Sequence, residues 1–225
     1  GLGDVYKRQL LLREVPGKHL SFFINKIMTI IPLFPTNVHH VAVDNYSDIK
    51  EDLIGFVEAK KAADPKGVKK SNTGWHSELL SDGPVLSTIN TALIKFFNDN
   101  SYYDLSSFEV TSHWLNINEP GDTNVLHCHP GSHMSGVLWL NIPPESGDIS
   151  FESPNAYSQW DVMKNYTMEI RQQTLSYSMF DFTPEEGAMI FFPASLYHAV
   201  NENKSDTRRI SAGFNLRLWS EKTDT

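Results

Sequence analysis

The sequence predicts a mainly β domain with flanking helices and an eight-stranded jelly-roll core. Two amphipathic helical segments precede residue 108, and short apolar or alternating segments follow it as candidate strands. Turn motifs separate several of these strands, namely Glu119-Pro-Gly-Asp122, Pro143-Pro-Glu-Ser-Gly147 and Pro184-Glu-Glu-Gly187. Many short strands at this spacing are typical of a β-sandwich or barrel.

The two helices are predicted from their caps and apolar stripes. The first has Ser47 as its N-cap and ends near Ala63, with an apolar face of Ile49, Leu53, Phe56 and Val57. The second begins near Pro84 and ends around residues 98–100, with a stripe of Leu86, Ile89, Leu93, Phe96 and Phe97. Both stripes predict packing against a sheet.

The predicted strands are 108–117, 123–128, 135–142, 147–152, 175–182, 187–193, 196–200 and 207–218. In the last strand, apolar residues alternate with a second set formed by Arg209, Ser211, Gly213, Asn215 and Arg217. We expect the apolar face to be covered. The other face then either meets solvent or lines a wet cavity.

Net charge, apolar run length and cysteine content exclude several classes of protein. The net charge of −8 argues against a general nucleic-acid-binding protein, and no apolar run is long enough for a membrane span. The lone Cys128 excludes an internal disulfide and fits a cytoplasmic protein. Residues 1–27 lack periodicity and are predicted to be a non-native or disordered extension, with one domain over 28–225.

Three histidines are the candidate metal ligands. His127 and His129 are one residue apart, so they project from the same face of a strand, where both can reach one ion. His198 is the third candidate, far downstream. Neutral imidazoles suit iron, zinc, copper or nickel, so the histidines alone do not identify the metal.

Arg209, which follows His198 in the sequence, indicates which kind of ligand binds beside the metal. Arg209 has a planar guanidinium that can bind a carboxylate through two hydrogen bonds, and Ser211 on the same strand face can donate another. Together they suit the distal carboxylate of 2-oxoglutarate, whose 2-oxo acid end would chelate Fe(II). Asn116 and Asn124 are further candidates for binding this co-substrate.

Several stretches in order carry a family resemblance. They are Trp114-Leu-Asn-Ile-Asn-Glu-Pro-Gly121, Asn124-Val-Leu-His-Cys-His-Pro130, Ser135-Gly-Val-Leu-Trp-Leu140, Gly147-Asp-Ile-Ser-Phe-Glu-Ser-Pro154, Gly187-Ala-Met-Ile-Phe-Phe-Pro193 and Arg209-Ile-Ser-Ala-Gly-Phe-Asn215. From about Trp75 to Leu218 the sequence resembles 2-oxoglutarate/Fe(II)-dependent oxygenases of marine bacteria and phages. These belong to the double-stranded β-helix superfamily. The resemblance implies a dioxygenase that uses dioxygen, hydroxylates an unidentified substrate, and releases succinate and CO2.

One position departs from the superfamily pattern, which is His-x-Asp/Glu, a distal His and then Arg-x-Ser. His129 stands where the carboxylate is expected. Three explanations are open: His129 binds the metal, His129 contacts substrate while water fills the third position, or Glu152 supplies a carboxylate. The spacing of the histidine pair favours binding by His129.

Two other functions remain as alternatives. One is a cupin-type three-histidine metalloenzyme that does not use 2-oxoglutarate, because the Gly187-x5-Pro193 spacing followed by His198 resembles a cupin motif. The other is a non-catalytic barrel that binds a carboxylate or a protein. The sequence does not identify the substrate, which is either a small molecule or a protein side chain. Residues 155–174 are either a lid or a disordered insertion. The sequence does not decide whether the protein forms a homodimer.

Overall fold

The computed structural model describes residues 34–99, 105–155 and 165–220. The predicted extension over 1–27 lies outside these residues. Within the described ranges, the chain forms three helices: α1 Tyr46–Ala63, α2 Pro84–Asp99 and α3 Met168–Thr174. The strands in the same ranges are β1 His39–Ala42, β2 Trp75–His76, β3 Ser107–Asn118, β4 Asn124–His127, β5 Met134–Asn141, β6 Ile149–Glu152, β7 Met179–Phe182, β8 Ala188–Pro193, β9 His198–Val200 and β10 Arg209–Trp219.

The strands form two antiparallel sheets. A six-stranded sheet has the order β1-β8-β5-β10-β3-β2, and a four-stranded sheet has the order β4-β9-β6-β7. Neighbouring strands in each sheet are often distant in sequence, as expected for a jelly roll. The predicted fold class, a mainly β jelly roll with flanking helices, is confirmed.

Apolar residues are buried on both faces of the six-stranded sheet. On one face, Leu53 and Val57 of α1 and Ile89 and Leu93 of α2 pack in a cluster with side chains of β3, β5 and β10. A second cluster contains side chains from both sheets, namely Trp139, Ile149, Phe151, Ala188, Ile190, Phe192 and Leu196. The helices therefore cover one face of the large sheet, and the small sheet faces the other.

Strand β10 shows the predicted alternation. Its alternate residues Ile210, Ala212, Phe214 and Leu216 are all at most 2% exposed and belong to the helix-side cluster. The intervening residues from Arg209 to Asn215 turn to the other face. This arrangement makes the polar face of β10 one wall of a cavity between the two sheets.

The start of the first helix was predicted incorrectly. Helix α1 begins at Tyr46, one residue before the predicted cap Ser47, and Asn45 precedes it in the left-handed conformation without a side-chain capping bond. The Tyr46 hydroxyl donates to the carbonyl of Leu140, and a Cβ on Gly187 would lie only 2.6 Å from Cδ1 and Cγ of the Tyr46 ring. Tertiary packing of Tyr46 therefore fixes the helix start.

The predicted strand over 175–182 is also wrong at its beginning. Helix α3 precedes it, and Leu175 follows that helix in the left-handed conformation, so regular strand begins only at Met179. The short strands β1 and β2 were not predicted.

Each helix in the described ranges is too short or too polar to cross a membrane.

Candidate functional site

A cavity of about 370 Å³ lies between the two sheets. This volume is within the range typical of small-molecule sites. On the side of β3 and β10, the residues that line the cavity are mostly polar or aromatic. Among the residues that the structure describes, no Asp or Glu lines the cavity. The cavity is therefore suited to a ligand that carries negative charge.

The structure brings the three predicted histidines together in this cavity. One ring nitrogen of each of His127, His129 and His198 lies within 4.8 Å of the others, so the three can bind one ion. The ring centroids of His127 and His198 are 4.4 Å apart, and His129 lies 5.0 and 5.2 Å from them. Within the described ranges, no other group of three His, Cys, Asp or Glu residues is arranged in this way.

Strand pairing places two of these histidines. His127 ends β4 and lies directly opposite His198, the first residue of β9. The register shifts between Asn124 and His127, so three steps along β4 match two steps along β9. Such a bulge lets Asn124 and His127 both line the cavity, although a regular strand would turn them to opposite faces.

His129 lies beyond the end of β4, contrary to the expectation that His127 and His129 project from one face of the same strand. Its backbone N–H donates to the carbonyl of Ala194 at 2.9 Å. This bond ties the segment after β4 to the segment that leads into β9. The two imidazoles converge as expected, but a tertiary contact and not strand alternation brings His129 to the site.

Backbone hydrogen bonds orient two of the imidazoles. The Nδ1 atom of His127 lies 2.8 Å from the carbonyl oxygen of Val125, and that of His198 lies 3.0 Å from the carbonyl oxygen of Leu196. Because a carbonyl only accepts, Nδ1 carries the hydrogen in both rings. The remaining nitrogen, Nε2, then has a free lone pair, as a metal ligand requires.

Burial keeps the three rings neutral. Desolvation lowers the pKa of His198 to about 3 and that of His129 to about 4, and it also lowers the pKa of His127. Mutual repulsion between the rings, were they charged, adds to the lowering for His129 and His198. All three are thus in the uncharged form that binds metal at neutral pH.

Arg209 is a buried cation. It is 2% exposed, and Nη1 donates to the carbonyl oxygens of Ser146 at 2.6 Å and Gly147 at 3.2 Å. No carboxylate among the described residues forms an ion pair with it. Burial lowers its pKa to about 10, against the attraction of Asp122, so it remains charged at neutral pH. Because an unpaired buried charge is costly, a bound anion would stabilise it.

Strands β3 and β10 align polar residues along the cavity wall. Asn118 lies opposite Arg209, Asn116 opposite Ser211, and Trp114 opposite Gly213. All of these line the cavity. The Oδ1 atom of Asn116 is buried without a hydrogen-bond partner, so a ligand could supply one. The predicted co-substrate residues Arg209, Ser211 and Asn116 therefore share one wall.

Asn124, the fourth predicted co-substrate residue, lies on the adjoining wall of the cavity. Its Oδ1 accepts from Nδ2 of Asn118 at 3.1 Å. This bond links β4 of the small sheet to β3 of the large sheet. Asn124 thus contributes to the shape of the cavity beside Arg209.

Glu152 and two further histidines, His133 and His113, lie outside the cavity lining. Glu152 does not line the cavity and does not join the histidine group, so it has no role as a ligand in this arrangement. His133 is exposed, and its Nδ1 accepts from the backbone N–H of Leu218 at 3.0 Å. His113 is buried on the opposite face of β3 from Asn116, as strand alternation requires.

Two cavity residues were not identified as functional from the sequence. His76 is 7% exposed and lines the cavity, but the pair Trp75-His76 carries no motif. Trp114 also lines the cavity and stacks on His129. Its spacing from Asn116 and Asn118, at alternate positions of one strand, was the signal that could have placed it there.

The residues present fit both groups that the resemblance implies. Three neutral imidazoles suit Fe(II), although they do not exclude other transition metals. The buried Arg209, without a carboxylate partner among the described residues, suits an anionic co-substrate such as 2-oxoglutarate.

Comparisons with known proteins agree with this chemistry. Residues 112–215 match a family described as "Putative 2OG-Fe(II) oxygenase". This range contains all three histidines together with Arg209 and Ser211. No curated protein sequence matches the chain.

Solved structures with the same fold are diverse. A prolyl-4-hydroxylase of Pseudomonas putida matches 81% of this chain and 93% of its own, with a TM-score of 0.55 and 14% identity. A viral collagen prolyl hydroxylase of Paramecium bursaria Chlorella virus-1, solved as a 2-oxoglutarate complex, matches 80% and 94%, with a TM-score of 0.51 and 17% identity. HygX of Streptomyces hygroscopicus, solved with nickel and 2-oxoglutarate, matches 81% and 83%, with a TM-score of 0.52 and 12% identity.

At these identities the solved structures establish the fold. Residues 112–215 of this chain are similar to the family described as "Putative 2OG-Fe(II) oxygenase".

Proposed function

We propose that this protein is an Fe(II)- and 2-oxoglutarate-dependent dioxygenase that hydroxylates its substrate and releases succinate and CO2. The observation that carries the proposal is one cavity containing three neutral histidines and a buried arginine, with no described carboxylate in its lining. The histidines supply metal ligands, and the arginine supplies the counter-charge for a dicarboxylate.

The histidines would hold the metal. Nε2 of His127 and of His198 are the ligand atoms, because Nδ1 of each ring is used by a backbone carbonyl. His129 would complete the set in place of the usual carboxylate. Bound Fe(II) supplies the redox chemistry by which dioxygen oxidises both 2-oxoglutarate and the substrate.

Arg209 and Ser211 would bind the distal carboxylate of 2-oxoglutarate. The guanidinium is already fixed by the carbonyls of Ser146 and Gly147, so little side-chain entropy is lost when the carboxylate binds. Three apolar side chains, Val137, Ile149 and Phe192, also line the cavity and limit the access of water. Because Arg209 is buried, an ion pair between its guanidinium and the carboxylate is stronger than the same pair in water.

The overall charge of the site matches this ligand. A set of three neutral histidines leaves the full charge of a divalent metal uncompensated, whereas a site with one carboxylate would offset part of it. Arg209 adds another positive charge. A dianion such as 2-oxoglutarate would therefore offset more of the charge of this site than a neutral ligand could.

The proposal is tested by titrating 2-oxoglutarate into the protein under anaerobic conditions, with and without Fe(II). We expect binding that depends on the metal, accompanied by a visible metal-to-ligand absorption band. A cupin-type three-histidine enzyme would bind Fe(II) without responding to 2-oxoglutarate. A binding barrel without a metal site would bind no Fe(II), and either result would contradict the proposal.

A further inference from the structure

The three histidines are not held in the same way. His127 and His198 each direct Nδ1 to the carbonyl of the residue two positions earlier. No equivalent bond exists for His129, whose ring has no hydrogen-bond partner within residues 34–99, 105–155 and 165–220. A second contact must therefore orient this imidazole if it is to act as a ligand.

Trp114 provides such a contact. Its indole and the His129 ring are stacked, with centroids 5.4 Å apart and planes inclined by 24°. Trp114 also stacks on His76, at 5.8 Å and 8°. The indole is therefore in ring contact with the least anchored ligand and with another imidazole of the cavity wall.

The position of Trp114 depends on Gly213, its direct partner on β10. A Cβ on Gly213 would lie 2.4 Å from Cε2 and Cζ2 of the indole, which is far inside van der Waals contact. Gly213 has no positive φ in this structure. The absence of a side chain at Gly213 thus provides space for the indole and does not serve an unusual backbone conformation.

His76 is itself firmly held beside Trp114. Its Nδ1 lies 2.5 Å from the carbonyl oxygen of Ser77, and the Ser77 backbone N–H donates to the carbonyl of Leu115. The Ser77 hydroxyl in turn accepts from the backbone N–H of Leu115 at 3.0 Å. The stacked partner of Trp114 is thus fixed to the strand that carries Trp114.

We propose that Trp114 is a positioning residue that holds the His129 imidazole in the orientation required for metal binding, and that Gly213 provides the space for it. This inference rests on the proposed function, because it assumes that His129 is a ligand. Trp114 replaces, for His129, the carbonyl contacts that orient His127 and His198.

Anaerobic titration with Co(II) tests the inference without requiring turnover. Co(II) bound at the site gives visible absorption that depends on its ligands and geometry. We expect Trp114→Leu to weaken Co(II) binding by roughly 10–100-fold and to alter this spectrum, as loss of a supporting contact around a ligand typically does. Trp114→Phe, which keeps an aromatic face, should recover most of the affinity, and Gly213→Ala should behave like Trp114→Leu.

A double-mutant cycle with His129→Ala shows whether Trp114 acts through His129. Once His129 is absent, we expect Trp114→Leu to have little further effect on Co(II) affinity. The matched control is Trp139→Leu, because Trp139 also lines the cavity but stacks on Phe182. It should leave the Co(II) spectrum unchanged, with thermal melts used to compare the folding of all variants.

The outcomes separate this inference from the proposed function. If wild-type protein binds no Co(II), the proposed metal site itself is wrong. If wild-type protein binds Co(II) and Trp114→Leu binds it equally well with the same spectrum, the metal site stands and the positioning role is overturned. An equal loss of affinity in the presence and absence of His129 would also overturn it.

Discussion

His127 and His198 lie directly opposite each other on the antiparallel strands β4 and β9, and each ring donates Nδ1–H to the carbonyl two residues earlier. Residues far apart in sequence thus have equivalent local anchors. Their Nε2 atoms retain the lone pairs that a metal needs. The pairing of these two short strands therefore places two of the three candidate ligands before any ion binds.

The role of the third histidine is tested by replacing it. His129→Ala should reduce Fe(II) affinity by more than about 100-fold, since losing a ligand costs more than losing a supporting contact. His129→Asp should retain binding, because Asp restores an oxygen ligand at that position. Both affinities are measured by anaerobic competition with a chromogenic chelator. Unchanged affinity in His129→Ala would mean that water fills the third position.

Arg209 should determine affinity for 2-oxoglutarate. Arg209→Lys keeps a positive charge but loses the planar fork, and we expect it to weaken 2-oxoglutarate binding by about 10-fold or more. Fe(II) affinity should change little. Calorimetry on the metal-loaded protein measures the first quantity, and chelator competition measures the second.

Arg208→Lys is the matched control for this substitution. Arg208 is the adjacent residue but pairs with Glu58 outside the cavity, with Nη2 2.9 Å from Oε1. It should leave 2-oxoglutarate affinity unchanged. Equal effects of the two substitutions would remove Arg209 from the proposed binding site.

The stability of the metal-free protein should fall as pH is lowered from 6.5 towards 4. The unfolded chain binds protons at His129 and His198 near the ordinary pKa of 6.5, whereas the folded protein does so only near 4 and 3. In this window the unfolded state binds more protons, so acidification favours it. Above pH 6.5 both states are neutral at these rings, and their contribution no longer changes.

Thermal melts in the presence of a chelator measure this dependence. The control is His198→Asn, which removes the group with the lower pKa and should flatten the decline between pH 6.5 and 4. A wild-type melting temperature with the same pH profile as that of His198→Asn would contradict the expectation.

Two glycines should respond oppositely to alanine. At Gly136, a Cβ would lie 2.3 Å from Cζ of the buried Phe214 and 2.5 Å from the carbonyl oxygen of Ile190, so Gly136→Ala should destabilise the fold by about 1–3 kcal/mol. Gly55 is exposed within α1 and a Cβ there meets nothing within 4 Å. Gly55→Ala should therefore stabilise by about 0.5–1 kcal/mol.

Urea unfolding of both variants gives the two free energies of unfolding. If Gly136→Ala were as stable as wild type, Phe214 would not pack closely against Gly136 of β5. Neither substitution touches a candidate metal ligand.

Much of this architecture could be predicted from sequence because it depends on local patterns. The alternation along β10 predicts which of its faces is covered, and the stripes on α1 and α2 predict helices that pack on a sheet. The same alternation puts Arg209 and Ser211 on one face. These features follow from periods of two and 3.6 residues and need no knowledge of distant contacts.

Other features depend on tertiary contacts that no local pattern encodes. The start of α1 is fixed by the packing of Tyr46 against Gly187. The convergence of Asn124 with His127 depends on a bulge in β4, and His76 reaches the cavity only because β2 pairs with β3. The sequence does not mark Trp114 as a cavity residue, because a tryptophan in a strand is usually a packing residue.

The most direct test of the proposed function is a single-turnover experiment. Protein loaded anaerobically with Fe(II) and 2-oxoglutarate is exposed to oxygen, and succinate is quantified against the same protein carrying His127→Ala. We predict oxygen-dependent formation of succinate by the wild-type protein and none above background by the variant. Absence of succinate from wild-type protein that has bound both Fe(II) and 2-oxoglutarate would contradict its assignment as a dioxygenase.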